Sequence, residues 1–205
     1  MPPAFPRARW AAGVWLAVWL PAYVYVWGWI NLLQLCDIAV ILTCAGLWRG
    51  SSLLLSSQAV SSILVDALWC LDLAWRLVWG RHLIGGTEYM WDPQYPLAVR
   101  LLSLFHFVWP LLLIWALRRV GYDRRGVKLQ AAIAVVAMTI ARWTPPERNI
   151  NFAHRDAIYH RAWGPAPAHV ALMLGVLLAV LYLPTHLALS RALGGARRYA
   201  PKTMP

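Results

Sequence analysis

The sequence predicts an all-α fold, a polytopic helical bundle in a membrane, and three observations carry that prediction. The chain is 60% hydrophobic. Only 13% of its residues are charged, well below the quarter or so usual for a soluble domain. Apolar runs long enough to cross a bilayer recur along it, and the mean hydropathy is +0.53.

About six spans follow in order: 10–28, 30–49, 52–80, 96–118, 127–143 and 167–190. They read as a single domain over 1–205, because no linker is long enough to separate two. The first follows Arg7 and Arg9, as a signal peptide would. It is nevertheless long, rich in Trp and Tyr, and without a small-residue cleavage site, so it is read as a retained helix. Pro21 is expected to kink the first span and Pro110 the fourth. The third exceeds what a bilayer needs, so it tilts or projects. The fifth is the shortest.

Net charge is +11, yet a nucleic-acid partner is rejected. The basic residues sit in short loops and tails beside apolar spans, where they orient the chain and meet anionic headgroups. Arg118, Arg119, Arg124, Arg125 and Lys128 place the loop 118–128 in the cytoplasm. Threading six spans through that point puts both termini there. Arg7, Arg9, Arg49, Arg191, Arg197, Arg198 and Lys202 then fall on the same side. Trp10, Trp27, Trp29, Trp48, Trp79, Trp91, Trp143 and Trp163 lie near span ends and read as interfacial belts. Localisation is thus a multi-pass membrane protein, expected in a bacterial cytoplasmic membrane.

The polar residues inside the spans gather toward the outer end, beneath the loops 81–96 and 143–167. Cys36 and Asp37 lie about two turns into the second span, His106 roughly 15 Å into the fourth. In the third, Gln58, Ser62 and Asp66 recur every four residues and share one helix face, which should look into the bundle. Asp72 and Arg76, four apart, read as an ion pair. Cys36 becomes a nucleophile only with a base, and His106 is the candidate if the second and fourth spans face each other. Asp37 would orient that His or pair with Arg100. The alternative is plain packing for Cys36 and a helix-contact role for His106. Cys44 and Cys70 read as packing, with no disulfide expected.

In the second outer loop, His154, Asp156 and His160 match no standard ligand spacing, and Arg155 and Arg161 oppose a cation, so no metal is assigned. An amphipathic interfacial segment is the simpler reading. Asn149 and Asn151 offer carboxamides to loop backbone or a lipid headgroup. Thr185 and His186 follow Pro184 and are expected to satisfy the backbone locally.

"LLQLCDIAVIL" resembles the motif opening an early helix of the YwaF-like bacterial integral membrane proteins, where a His-Leu-Cys triplet is typical. "SLFHFVWP" resembles their later Phe-containing helix with a His. "NINFAHRDAIYHRAWGPAPAHVALMLGVLLAVLYLPTHL" resembles their C-terminal part, where an Asn-Tyr-Met-type segment precedes a Gly-Pro-Trp-Pro turn and a final helix. Order and rough spacing agree over about 30–190. Gln34 stands where the family often has His, "NIN" replaces the Asn-Tyr-Met type, and "GPAP" lacks the Trp. Eukaryotic relatives of that family are ether-phospholipid acyltransferases, and more distant ones hydrolyse fatty-acid esters with Thr and His. The resemblance implies Cys36 as acyl-accepting nucleophile and His106 as its base.

Three functions remain open. The first is a thiol-dependent lipid acyltransferase or acyl hydrolase acting on membrane lipids without a cofactor. Gln34, Asn149 or Asn151 would then donate to an oxyanion. The second is a non-enzymatic accessory or assembly subunit bound to other membrane subunits, with the buried Asp residues as helix–helix glue. The third is a small transporter or channel with Asp37, Asp66 and Asp72 along a polar path.

Overall fold

The computed structural model describes residues 4–193. Arg197, Arg198 and Lys202, counted above as cytoplasmic charges, lie outside the described residues. Eight α-helices are joined by short 3-10 and π turns, with no strand among the described residues. They are α1 (Ala8–Trp27), α2 (Leu35–Arg49), α3 (Ser52–Trp79), α4 (Leu97–Leu102), α5 (Phe105–Val120), α6 (Gly126–Ala141), α7 (Ala166–Val176) and α8 (Leu183–Leu193). Four helical stretches are long and apolar enough to cross a membrane: Ala8–Trp27, Ser52–Trp79, Leu97–Val120 and Ala166–Leu193.

Two expected boundaries move. The second span does not begin at residue 30, because Trp29–Leu33 is a 3-10 turn and Gln34 is the extended N-cap of α2. The fourth is broken at Ser103–Leu104 rather than bent at Pro110, which sits within a continuous α5. There the backbone tightens to three-residue hydrogen bonds, Ser103 N–H to Arg100 C=O and Leu104 N–H to Leu101 C=O.

The long α3 is the axis of the bundle, packed against α2, α5 and α6. Its N-terminus is capped by Ser51, whose Oγ accepts from Leu54 N–H at 3.3 Å. Gly50 ahead of it takes the left-handed conformation (φ +62°) that ends α2. At 28 residues, α3 rises about 42 Å, more than the ~30 Å of hydrocarbon. Its excess serves the long-loop end. Asp72 is not paired with Arg76 as the spacing suggested. Its Oδ1 accepts from the N–H groups of Leu83 (2.8 Å), Ile84 (2.7 Å) and Gly85 (3.1 Å). Its Oδ2 accepts from Thr87 and His82. A carboxylate that satisfies three loop amides holds the loop down more firmly than one exposed guanidinium contact would. Arg76 instead lies 5.5 Å over the Trp91 ring.

The 143–165 loop folds back over the start of α2. Asn149 closes the loop on itself: Oδ1 accepts from His154 N–H and Arg155 N–H, and Nδ2 donates to Arg155 C=O. Asn151 ties it to the bundle. Its Nδ2 donates to Leu33 C=O (2.7 Å), its Oδ1 accepts from Leu35 N–H (2.9 Å), and its own N–H donates to Gln34 Oε1 (3.1 Å). Both Asn residues have positive φ, tolerated because their short polar side chains bond locally. His169 anchors the far side, accepting from Trp163 N–H and donating to Phe152 C=O. The two long loops touch, since a Cβ on Gly85 would stand 3.1 Å from Ala157 C=O.

Trp27 leaves the expected belt. It is 8% exposed and packs on Tyr89 and Tyr95. Trp10, Trp29, Trp79 and Trp143 are exposed, as an interfacial anchor requires.

Candidate functional site

The break before α5 builds the first half of the site. His106 opens α5 one turn after Ser103, and its Nδ1 lies 2.7 Å from Ser103 C=O. A carbonyl only accepts, so Nδ1 carries the proton and Nε2 is the lone-pair nitrogen of the neutral ring. Nε2 lies 3.9 Å from Asp66 Oδ1 of α3, beyond a direct hydrogen bond. The ring is stacked between Trp69 (4.4 Å) and Phe105 (4.1 Å), which fixes its plane. Ser62 stands one turn below Asp66 on α3. The predicted polar face of α3 therefore does look inward, and Gln58, Ser62 and Asp66 are all buried.

The first turn of α2 builds the second half. Asp37 is 1% exposed and accepts from Asn31 Nδ2 at 2.8 Å. Cys36 Sγ donates to Asp37 Oδ1 at 3.7 Å, so Asp37, not His106, is the bonded partner of the thiol. Asp37 pairs with neither His106 nor Arg100. The Arg100 guanidinium donates to Met90 C=O instead.

Between the halves, Tyr23 of α1 shares a 2.6 Å hydrogen bond with Ser103 Oγ. Tyr89, from the 81–96 loop, faces the same Ser103. Cys36 with Asp37 on α2, and Asp66 of α3 with His106 of α5, thus form two polar groups inside the bundle. Asn149 and Asn151 are not free donors: their Nδ2 groups donate to Arg155 C=O and Leu33 C=O, while Gln34 Oε1 accepts from Asn151 N–H. Backbone groups left exposed by the 3-10 turn need partners first. Tyr23, Tyr89 and Ser103 were not foreseen. An isolated Ser or Tyr in an apolar helix carries no local pattern that singles it out.

An apolar groove of about 320 Å³ lies between α1 and the α4–α5 segment. Trp15 of α1 forms one wall, and Leu101, Leu102, Phe105 and Trp109 form the other. Phe105 of the groove also stacks on His106. A second cavity of about 290 Å³ lies between the long loops, lined by Glu88, Asn149, Phe152, Asp156 and His160.

His154 and Asp156 go to separate partners. Arg142 donates to His154 Nδ1, while Asp156 accepts from the N–H groups of Ile158, Tyr159 and Arg161 and from the Trp163 indole. Burial opposes the charge on Asp156, but those donors outweigh it and hold its carboxyl below the usual carboxylate range. At the other end of the bundle, Thr185 donates to Leu181 C=O, the carbonyl one turn back from itself rather than the one freed by Pro184. His186 instead pairs with Tyr122, 64 residues away.

Compared with protein-family models, curated proteins and solved structures, the chain matches none.

Proposed function

We propose that the protein is a membrane-embedded, thiol-dependent lipid acyltransferase or acyl hydrolase. The observation that carries this reading is His106: a tautomer fixed by Ser103 C=O, its Nε2 lone pair directed toward α3 inside the bundle, and its ring against Phe105 of an apolar groove. The groove suits an acyl chain arriving sideways from the bilayer. The Cys36 thiol turns from Asp37 toward Nε2, which takes its proton as sulfur attacks the ester carbonyl. The alcohol leaves with that proton. Water or a second alcohol then attacks the thioester, returns a proton to the sulfur through Nε2, and frees the thiol.

The proposed topology has six crossings with both termini cytoplasmic, in a bacterial cytoplasmic membrane. In it α2 and α6, of 15 and 16 residues, rise only about 22–24 Å and cross with help from their flanking turns. The resemblance to YwaF-like proteins supports both topology and chemistry. The accessory-subunit reading has its own support in Ala166–Leu193, of whose apolar window only 11% is buried. That leaves a long apolar face for lipid or another subunit.

The test is covalent labelling of purified protein with a fluorophosphonate or acyl-thioester lipid probe, mapped by mass spectrometry. Labelling at Cys36 that is lost in His106→Ala is the expected result. Labelling no higher than in Cys36→Ala overturns the enzymatic reading in favour of the accessory one.

A further inference from the structure

We infer that a file of internal water links the Asp66–His106 pair to the end of the bundle that carries the 121–125 loop, and is the route by which that pair exchanges protons. Three acceptor atoms in the interior have no protein partner: Gln58 Oε1, Asp66 Oδ2 and Gln130 Oε1. Gln58 and Gln130 are fully buried and Asp66 is 1% exposed. A buried, unpaired acceptor is costly unless it meets water, and an internal water typically bonds about three such groups.

Their order along the bundle makes a path. Asp66 and Gln58 lie on one face of α3, about 12 Å apart in rise. Ser62 and Ser61 stand between them. Gln130 of α6 donates to Ser61 Oγ (2.9 Å) and to Tyr182 OH (3.1 Å). Tyr182 belongs to the π turn Leu177–Tyr182, a widened turn of the kind that often marks function. Below Gln58, its amide donates to Ser57 Oγ, and Ser56 Oγ accepts from Asp123 N–H in the loop. Tyr122 and His186 close the same end. Chains of buried carboxylate, His and hydroxyl groups are what proton routes through membranes are made of. The inference does not depend on Cys36 carrying an acyl group.

Radiolytic hydroxyl-radical labelling of the full chain in lipid nanodiscs tests it, because radicals form at internal water. Tyr182 is 1% exposed and Phe5 fully buried, and Phe5 packs on Trp115 rather than on the file's polar side chains. Tyr182 should be labelled at least about tenfold faster than Phe5 if water stands beside it. Equal protection of the two overturns the inference, with no variant needed. In Gln58→Leu with Gln130→Leu, Tyr182 labelling should fall to the Phe5 level while exposed Tyr159 is unchanged. Persistence at Tyr182 overturns the assignment of water to those amides. Deuterium exchange at the Asp66 carboxyl, read by infrared against Asp66→Asn, should slow about tenfold in the double variant if the file is its proton route. An unchanged rate refutes that route.

Discussion

Replacing Asn151 with Ala should open the 143–165 loop without unfolding the bundle. The substitution removes the bonds to Leu33 C=O and Leu35 N–H, each worth about 1 kcal/mol net, and strands a helix N-terminal N–H. It also puts Ala at φ +52°, where a residue with no bonding side chain is worse by about 1 kcal/mol. A loss of about 3 kcal/mol allows for partial rescue of Leu35 N–H by water. At about 1.4 kcal/mol per decade, the loop's opening equilibrium rises roughly a hundredfold. Trypsin cleavage at Arg148, Arg155 and Arg161 reads it directly, provided opening is fast relative to cleavage. Asn151→Gly removes the backbone strain and keeps the hydrogen-bond loss, so its cleavage should be about fivefold slower than that of the Ala variant. A rise below about threefold in Asn151→Ala would show that other contacts hold the loop, and the three-bond clasp would be the wrong account.

Gly126→Ala tests the closest helix approach. A Cβ there would stand 2.7 Å from Ser56 Cβ and 2.8 Å from Ser57 N, and backbone cannot step aside, so overpacking of about 1–3 kcal/mol is expected. The thermal midpoint in detergent should drop, and an unchanged midpoint refutes the contact. Asp156 sets an acid limit on the loop. Its carboxyl is held below its ordinary value, so its stabilising contribution is present above that value and is lost as pH falls through the lower folded one. Cleavage of the loop by an acid-active protease should rise over that window in the native chain. In Asp156→Asn it should be pH-independent there, and a parallel rise in both would refute the assignment.

Four long apolar helices were legible because hydropathy belongs to each segment alone, and 52–80 was read almost to the residue. The inward polar face of α3 was legible for a similar reason: a four-residue repeat of Gln58, Ser62 and Asp66 has only one low-cost direction in a bilayer. Asp72 with Arg76 failed because adjacency on one helix does not reveal that the chain returns at Leu83–Gly85 with three amides to satisfy. Gln130 and His169 were passed over as single polar residues with no local companion. Each finds its partner on another element, Ser61 and Tyr182 for one, Phe152 and Trp163 for the other.

By itself the sequence determined that the chain is helical with stretches apolar enough to cross a membrane, and it predicted Cys36, Asp37 and His106 in the outer half with Asp66 nearer the middle. Tertiary structure alone decided who bonds whom: Cys36 to Asp37, His106 to Ser103 with Nε2 toward Asp66, Asn151 to the start of α2. Depth follows from one coordinate, the rise along each helix. Partnership needs the rotation of every helix and the return path of every loop, and those are set by packing among all of them at once.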